Sequence, residues 1–442
     1  MENIQAKKRK GFNIKTFIME ESLGGFLLIA VTIVAVIWAN SNAYEFYNYL
    51  WHEMKLGISL GDWELKGTLN HWINDGLMAI FFFTIGLEIK REIMAGELQS
   101  FKKASLPFMA AVGGMVVPAA FYVIINHNNP EYINGWGISM ATDIAFALGL
   151  MSLLGNKVNV NLKIFLTALA IADDLGAIMV IAFFYTESIN TAELINAAVF
   201  LVILVTANKL GVRSTAFYVI VGMLGVWLSF VYSGVHATIA GVLIALTIPA
   251  KPKMLKDTYI DKLGSLLKKF TTEEQVDTRL LTAAQVHLIS DIERISEEAN
   301  TPLQKMEHTL HPLTSFLILP LFALANAGVH VEGSLIDLLL HPISIGIIAG
   351  LVLGKALGVS LFVKLMVKLK LASLPEGVTW RQIYGVSFLA GIGFTMSIFI
   401  ADLAFDVPEL IQVAKVGIFA ASLLAAIIGM SILSVSGKNP GK

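Results

Sequence analysis

The sequence predicts an all-α polytopic membrane protein with about twelve transmembrane helices. Of its 442 residues, 56% are hydrophobic and 15% are charged, which is more apolar side chain than a water-soluble domain of this length can bury. The apolar residues are gathered in runs that are long enough to cross a bilayer. Lys and Arg are concentrated in every second connection between these runs, as expected when the chain crosses the membrane repeatedly.

The predicted spans follow one another along almost the whole chain. They cover residues 22–40, 75–94, 105–126, 136–155, 162–185, 193–208, 214–232, 235–250, 312–329, 342–366, 384–404 and 410–435. The sixth and eighth runs are the shortest and the least clearly marked. The first run is longer than the apolar core of a signal peptide, so we interpret it as a retained span.

The distribution of positive charge predicts the orientation of the spans. With the N-terminus inside the cell, most of the 32 Lys and Arg residues fall in cytoplasmic segments. Lys55, Lys66 and Lys415 then lie on or near the other side, and Lys355 lies within a span. Both chain ends are therefore expected in the cytoplasm.

The chain is expected to form a single membrane domain, residues 1–435, followed by a cytoplasmic tail at 436–442. Residues 1–20 form a basic cytoplasmic N-terminus. The external segment 43–70 contains alternating residues around a Gly-Asp pair, which predicts a β-hairpin. The long, highly charged segment 251–311 predicts a cytoplasmic loop with one surface helix, and no soluble catalytic domain is evident.

Composition also excludes several kinds of chemistry. The chain has no cysteine, so neither disulfides nor thiolate-bound metals are available. Its formal net charge of −1 argues against nucleic acid as a partner. No pair of histidines is placed to bind zinc, and no cofactor is expected.

Two groups of three spans suggest an internal repeat. Spans 3–5 enter the membrane from the cytoplasm and spans 10–12 enter it from outside, the arrangement of an inverted-topology repeat. The middle span of each group is unusual, because span 4 carries Thr142 and Asp143 at its centre and span 11 carries Gly391, Gly393 and Thr395 at the matching depth. Close helix packing also explains the glycines. The matched positions favour two broken helices that cross.

The membrane interior contains charged residues that need an explanation. Asp143, Asp173, Asp174 and Lys355 lie near the centres of predicted spans, where each charge costs about 3 kcal/mol on insertion scales. A buried ion-pair network that only stabilises packing is the alternative to a functional site. Such a network explains one acid and Lys355, but it does not explain three acids against one base. The excess of acids favours an ion-binding site.

The two adjacent acids cannot share one orientation. Neighbouring side chains on a helix point about 100° apart, so one of Asp173 and Asp174 is expected to face a water-filled funnel and the other a neighbouring helix. Carboxylate, hydroxyl and carbonyl oxygens suit a small alkali cation better than a soft metal. Burial favours the neutral form of a carboxyl group and a nearby positive charge favours the ionised form. A proton and a cation can therefore compete for the same oxygens.

Several linked motifs resemble the NhaA-type sodium/proton antiporters. They are "WINDGLMAIFFFTIGLEIKRE", "ATDIAFALG", "AIADDLGA", "SGVHATIAG" and "LILPLFALANAGV", and the resemblance extends from Glu20 to about Leu433. It implies an NhaA-like fold in a bacterial inner membrane. It also implies electrogenic, pH-regulated exchange of cytoplasmic Na⁺ or Li⁺ for external H⁺ by alternating access. The expected partners are these ions, membrane lipid and a second copy of the chain, which would bind through the external hairpin.

The resemblance assigns roles to the buried charges. Asp173 and Asp174 are the residues that bind the cation and the proton, with Asp174 the more exposed ligand and Asp173 the partner of Lys355. Thr142 and Asp143 belong to the helix crossing, where Asp143 offsets the positive helix N-termini and Lys355 offsets the negative C-termini.

Other residues at the span ends have weaker assignments. The residues that match the family's pH-sensing cluster at the cytoplasmic end are Glu88, Arg91, Glu92, Glu307, His308 and His311. Charged residues are ordinary at a membrane edge, so an exclusively structural role remains an alternative for each. His236 is expected to pack or to form a hydrogen bond rather than bind a ligand, and Asp75 is expected to be an interfacial or capping acid.

The sequence departs from the family pattern in two places. Ala356 stands where a proline is expected after Lys355, which leaves the local helix bend in question. The 251–311 loop is also longer than expected.

Other functions fit the sequence less well. A sodium-coupled symporter of an organic solute would need more polar or aromatic lining than this compact set of charges provides. An intramembrane aspartyl protease needs two aspartates that face each other from separate helices, whereas Asp173 and Asp174 are neighbours on one helix. A passive channel is a further alternative, but buried titratable acids favour stoichiometric exchange over conduction. The protein is therefore not expected to be an enzyme.

Overall fold

The computed structural model describes residues 14–60, 63–96, 98–186, 189–272, 280–330 and 333–436. The predictions made for most of the basic N-terminus and for the C-terminal tail lie outside these residues, as does the turn of the predicted hairpin.

The described residues form a helical bundle, which confirms the all-α polytopic class. Eight helices are long and apolar enough to cross a membrane: Leu69–Ala95, Lys103–Asn126, Val160–Phe184, Thr191–Lys209, Thr215–Ser233, Pro302–Asn326, Pro342–Lys368 and Pro408–Ser436. In chain order these are spans 2, 3, 5, 6, 7, 9, 10 and 12. Span 1 is the helix Ile14–Ala39.

Spans 4 and 11 are broken helices, as predicted. Span 4 consists of Pro130–Met140 and Ile144–Leu153, which meet at 46°, and span 11 consists of Trp380–Leu389 and Phe394–Ala404, which meet at 45°. Span 1 also turns sharply, at 119°, into the helical segment Tyr44–Glu53. Counting each bent pair as one span brings the total within the described residues to 11.

The predicted span 235–250 is a short helix, Thr238–Thr247. At 1.5 Å per residue it is about 15 Å long, roughly half of the hydrocarbon thickness. Apolar residues continue beyond both ends of this helix, which is why hydropathy alone predicts a longer span. Its C-terminal carbonyls at Leu246 and Ile248 accept hydrogen bonds from the ammonium group of Lys90 in span 2. A cation at this position is favourable because the C-terminus of a helix is the negative end of its dipole.

The bundle has two ends, which are named here by the segments that they carry. The hairpin end carries two antiparallel strands, Lys55–Leu60 and Trp63–Thr68, with Lys55 paired to Thr68 and Leu60 to Trp63. The loop end carries the long segment between spans 8 and 9. Spans 3 and 10, the first helices of the two repeats, pack antiparallel, since Gly113 lies against Gly358 and Pro118 against Gly354, as an inverted repeat requires.

Within its described residues the long segment at the loop end contains two helices before span 9, Lys256–Thr272 and Ala283–Ala299, where the sequence predicts one. They are joined by a hydrogen bond of 3.1 Å between the hydroxyl groups of Tyr259 and Ser296. Arg213, between spans 6 and 7, donates to the carbonyls of Lys251 and Asn300 and so ties the base of this segment to the bundle.

The outer surface of the bundle is apolar. Ile124 in span 3, Phe183 in span 5 and Leu224 in span 7 are all largely exposed. Exposed large apolar side chains on several spans suit contact with lipid rather than water.

Candidate functional site

The breaks in spans 4 and 11 contact each other directly. The backbone N–H of Asp143 donates to the carbonyl of Ile392 at 2.7 Å. The hydroxyl of Thr142 donates to the carbonyl of Ala390, also at 2.7 Å. Each broken helix thus supplies partners for backbone groups that the other leaves unpaired, which is what makes irregular backbone tolerable inside a membrane.

Asp143 lies between two helix N-termini. It is buried and caps the second half of span 4, where its Oδ1 accepts the N–H of Phe146 at 2.9 Å. Its Oδ2 accepts both the hydroxyl and the N–H of Thr395, at the start of the second half of span 11. A negative charge here faces the positive ends of two helix dipoles.

Glycine allows the crossing to pack closely. A Cβ atom added to Gly391 would collide with the carbonyl oxygen of Leu351 in span 10. The small residues in span 11 therefore allow close helix packing as well as the break. Both explanations of these glycines, packing and an interrupted helix, apply.

Lys355 lies at the C-terminus of the first half of span 4; of the two C-termini assigned to it from the sequence, this is the one that its side chain contacts. Its side chain is fully buried, and its Nζ donates to Oδ2 of Asp173 at 2.6 Å. Nζ also donates to the carbonyl of Met140, the last residue of the first half of span 4, where the helix dipole is negative.

Span 10 stays continuous through Lys355, although Ala356 replaces the expected proline. The wide, π-helical turn Ala349–Gly354 immediately precedes the lysine. Such turns widen a helix locally and are frequent at functional sites. The helix irregularity at this point therefore comes from the backbone turn.

Asp173 and Asp174 lie together in the middle of span 5. Asp173 is 1% exposed and Asp174 is 4% exposed, so Asp174 is only marginally the more accessible. Oδ1 of Asp173 has no hydrogen-bond partner among the described residues. Asp174 lies within electrostatic reach of Glu88, Asp143 and Lys355. The two acids point differently, as the helical geometry requires, and Asp173 is the one that faces a neighbouring helix.

This set of ligands fits a small, exchangeable cation. Two adjacent carboxylates offer hard oxygen atoms, and Oδ1 of Asp173 is buried with no hydrogen-bond partner from the described residues. Among the described residues, no group of three or more His, Cys, Asp or Glu side chains could hold a metal ion.

At the loop end, the structure joins residues from spans 2 and 9. Arg91 forms an ion pair with Glu307 and another, at 3.0 Å, with Glu92. Glu88, one helical turn before Arg91, lies within electrostatic reach of it. These residues were predicted as a cluster, and the structure places them together.

The two histidines of the predicted cluster differ. His311 is buried and lies within electrostatic reach of Glu307, four residues before it on the same helix face. His308 is exposed. Because it follows Glu307 directly, it points about 100° away from it. The spacing of the two histidines from Glu307 in the sequence is enough to predict this difference between them.

The remaining candidates lie at the hairpin end. His236 forms a hydrogen bond of 2.8 Å with the carbonyl of Tyr185, in line with the expected hydrogen-bonding role. Asp75 pairs with His71 at 3.1 Å, one turn away at the start of span 2.

Sequence reasoning missed a second ion pair. Lys415 in span 12 and Asp402 in span 11 lie 3.2 Å apart and are mostly buried. Each lies close to an end of its predicted span, so that nothing in the hydropathy pattern distinguished them from ordinary interfacial charges.

Crossing broken helices, opposite repeats and buried acids beside one base define an inverted-repeat membrane transporter. The chain belongs to the family described as Na+/H+ antiporter 1, whose model matches residues 15–433. Among similar proteins, Na(+)/H(+) antiporter NhaA of Oleidesulfovibrio alaskensis is 48% identical over 97% of this chain and 95% of its own length. Na(+)/H(+) antiporter NhaA 1 of Psychromonas ingrahamii is 48% identical over 93% of each chain. The NhaA of Helicobacter pylori is 46% identical over 94% of each. All three are named as antiporters.

Proposed function

We propose that this protein exchanges cytoplasmic Na⁺ or Li⁺ for external H⁺ across the inner membrane of a bacterium. The exchange takes place by alternating access to Asp173 and Asp174. The observation that carries the proposal is the pair of adjacent buried carboxylates, of which Asp173 has one oxygen without a hydrogen-bond partner in the part of the chain that the structure describes. The antiporter names of its relatives support the choice of ions.

The chemistry of the exchange follows from competition for oxygen atoms. A buried carboxylate needs either a bound cation or a proton, because an uncompensated charge in low dielectric is costly. Occupancy by Na⁺ therefore excludes the proton, and protonation releases Na⁺. Lys355 holds Asp173, and Asp174 is the ligand that changes its occupant most freely.

The crossing provides a fixed electrostatic frame for this exchange. Asp143 compensates two helix N-termini and Lys355 compensates a C-terminus, so the broken helices do not need the transported ion for their stability. The site can then be empty of Na⁺ for part of each cycle.

We further propose that the Arg91, Glu92 and Glu307 cluster, together with Glu88 and His311, regulates turnover with pH. It joins spans 2 and 9 at the end where the cation enters. The strands at the other end have edges that can pair with a second copy, which supports a homodimer.

Sodium-induced proton efflux from proteoliposomes, scanned across pH, tests the exchange. Addition of Na⁺ outside the vesicles should drive protons out of the lumen and raise the luminal pH in the parent. Asp174→Asn should show no such change, although it inserts normally. Asp75→Asn is the matched control because this acid lies in span 2, away from the pair. Full sodium-dependent exchange by Asp174→Asn would refute the assignment. Sodium-driven counterflow of labelled organic solutes would instead support a symporter, which the antiporter names of the relatives do not favour.

A further inference from the structure

The two helices of the long loop-end segment carry opposite charge. Lys256–Thr272, called the basic helix below, has four lysines against two aspartates. Ala283–Ala299, called the acidic helix, has four acids against one arginine. The basic helix is therefore the part of this segment that suits an anionic partner.

The basic helix has more apolar surface than its partner helix covers. Tyr259 forms a hydrogen bond with the acidic helix, and Leu263, one turn further on the same side, is partly buried. Ile260 and Leu267 lie beside this side and share a face with each other, because they are seven residues apart. They are 53% and 49% exposed. A second apolar stripe of the basic helix thus faces outward.

The base of the helix pair lies where the chain leaves the membrane. Residues 248–255 link span 8 to the basic helix, and residues 300–301 link the acidic helix to span 9. The N–H groups of Lys253 and Met254 donate to the carbonyl of Glu298, at 3.0 and 3.2 Å. The two helices are therefore held together at the level of the span ends.

The acidic helix also lies beside the end of span 7. Arg294 lines a cavity of about 630 Å³ together with Thr215 and Ala216, in the first turn of that span. Further along span 7, Ile220 and Leu224 are exposed on the apolar outer surface of the bundle. The helix pair is thus adjacent to a span that contacts lipid.

Exposed apolar side chains extend along the whole pair. Leu255, 75% exposed, precedes the basic helix at the base, and Leu280 and Leu281, 83% and 52% exposed, precede the acidic helix at the other end. A helix of 17 residues is about 25 Å long, at 1.5 Å per residue. Several exposed apolar residues on one small unit mark an interaction surface. A partner that covers both ends together is an extended surface.

We propose that the basic helix lies on the anionic lipid surface of the cytoplasmic leaflet, with Ile260 and Leu267 among the upper parts of the acyl chains and the lysines at the level of the phosphates. Basic amphipathic helices next to membrane spans bind anionic lipid in this way. Lys256 is exposed and lies on the same side as Ile260, four residues before it. The contact is independent of the proposed exchange, because it does not involve the transported ions.

Lipid-borne quenchers test this contact in the full-length protein. The chain has no native cysteine, so Leu267→Cys can carry a single environment-sensitive dye. In vesicles that contain phosphatidylglycerol, doxyl-labelled lipid should quench this dye about threefold more strongly than it quenches the dye on Ser265→Cys. Ser265 is the matched control, since it is exposed on the same helix and points about 160° away from Leu267.

Charge is tested separately. In vesicles of phosphatidylcholine alone, quenching at Leu267→Cys should fall to the level of the Ser265 control. Lys256→Glu together with Lys262→Glu reverses the net charge of the basic helix and should have the same effect in phosphatidylglycerol vesicles. Lys209→Glu, an exposed lysine at the same end of the bundle in span 6, should leave the quenching unchanged.

Each outcome decides for or against the lipid contact. Equal quenching at positions 267 and 265 in phosphatidylglycerol vesicles overturns it, and so does quenching that is the same in both kinds of vesicle. If Leu267→Cys stays unquenched and forms disulfide-linked dimers, a second copy of the chain covers the stripe instead. If the double lysine variant fails to insert, the comparison of the two lipids on the chain with its native lysines decides. A protein that shows no Na⁺/H⁺ exchange refutes the proposed function and leaves the quenching result valid.

Discussion

Nζ of Lys355 and Oδ2 of Asp173 lie 2.6 Å apart in the centre of the bundle, and neither side chain is more than 1% exposed. The pair joins span 10 to span 5, one helix from each repeat. Removing two charges from water is expensive, so such a pair adds little net stability, but loss of one partner leaves an uncompensated charge. Each residue of the pair therefore needs the other to compensate its buried charge.

Replacement of Lys355 should destabilise the protein. In Lys355→Ala both Asp173 and the Met140 carbonyl lose their donor. We expect the melting temperature in detergent to fall, by the equivalent of about 3–5 kcal/mol, the usual effect of breaking a buried pair. Lys355→Arg should retain more stability and exchange, because the charge persists despite its different geometry.

Lys364→Ala is the control for this experiment, because Lys364 is exposed on the same helix. It should melt like the parent. If Lys355→Ala also melts like the parent, the ion pair is not what compensates Asp173.

The helix crossing gives a second prediction, which concerns Asp143. Its carboxylate accepts hydrogen bonds from both N-termini, whereas Asp75 pairs with one partly exposed histidine. Asp143→Ala should therefore lower thermal stability by about 2–4 kcal/mol and reduce exchange, and Asp75→Ala should do so much less. Equal losses in the two variants would mean that the crossing does not need a negative charge.

The breaks in spans 4 and 11 could be predicted because their cause is local. Small and polar residues at mid-membrane depth favour an interrupted helix. Thr142, Asp143 and Gly391 are such residues. Their partners could not be predicted. That Asp143 reaches Thr395 depends on how two distant segments cross, which hydropathy does not encode.

Other features escaped sequence reasoning for identifiable reasons. The helix Lys256–Thr272 contains Gly264, which lowers helix propensity and obscures its amphipathic pattern. The capping of span 8 by Lys90 likewise appears only once two helices are packed together.

The loop-end cluster gives a third prediction, which separates its two histidines. His311 is buried beside Glu307 and His308 is exposed. His311→Ala should change the pH at which exchange is half-maximal, because it removes a titratable group that interacts with the Arg91–Glu307 pair. His308→Ala, the control, should leave the profile unchanged. The measurement is the sodium-dependent proton flux across pH, and a shift in the His308 variant alone would contradict the geometry.

The last prediction concerns the charge carried in each cycle. Asp173, Asp174 and Lys355 form one electrostatic unit, since Asp173 contacts Lys355 and Asp174 lies within reach of both. Binding of a single Na⁺ to this unit can therefore displace more than one proton, either from both acids or from one acid and the lysine. Net charge then crosses the membrane, and each elementary charge couples to about 2.3 kcal/mol per 100 mV.

In proteoliposomes with potassium and valinomycin, a potential of the favourable sign should accelerate exchange and the opposite sign should slow it. Asp174→Asn vesicles provide the background flux. Rates that are the same at both signs would show electroneutral exchange, and the protonation of the lysine and the second acid would then stay unchanged throughout the cycle.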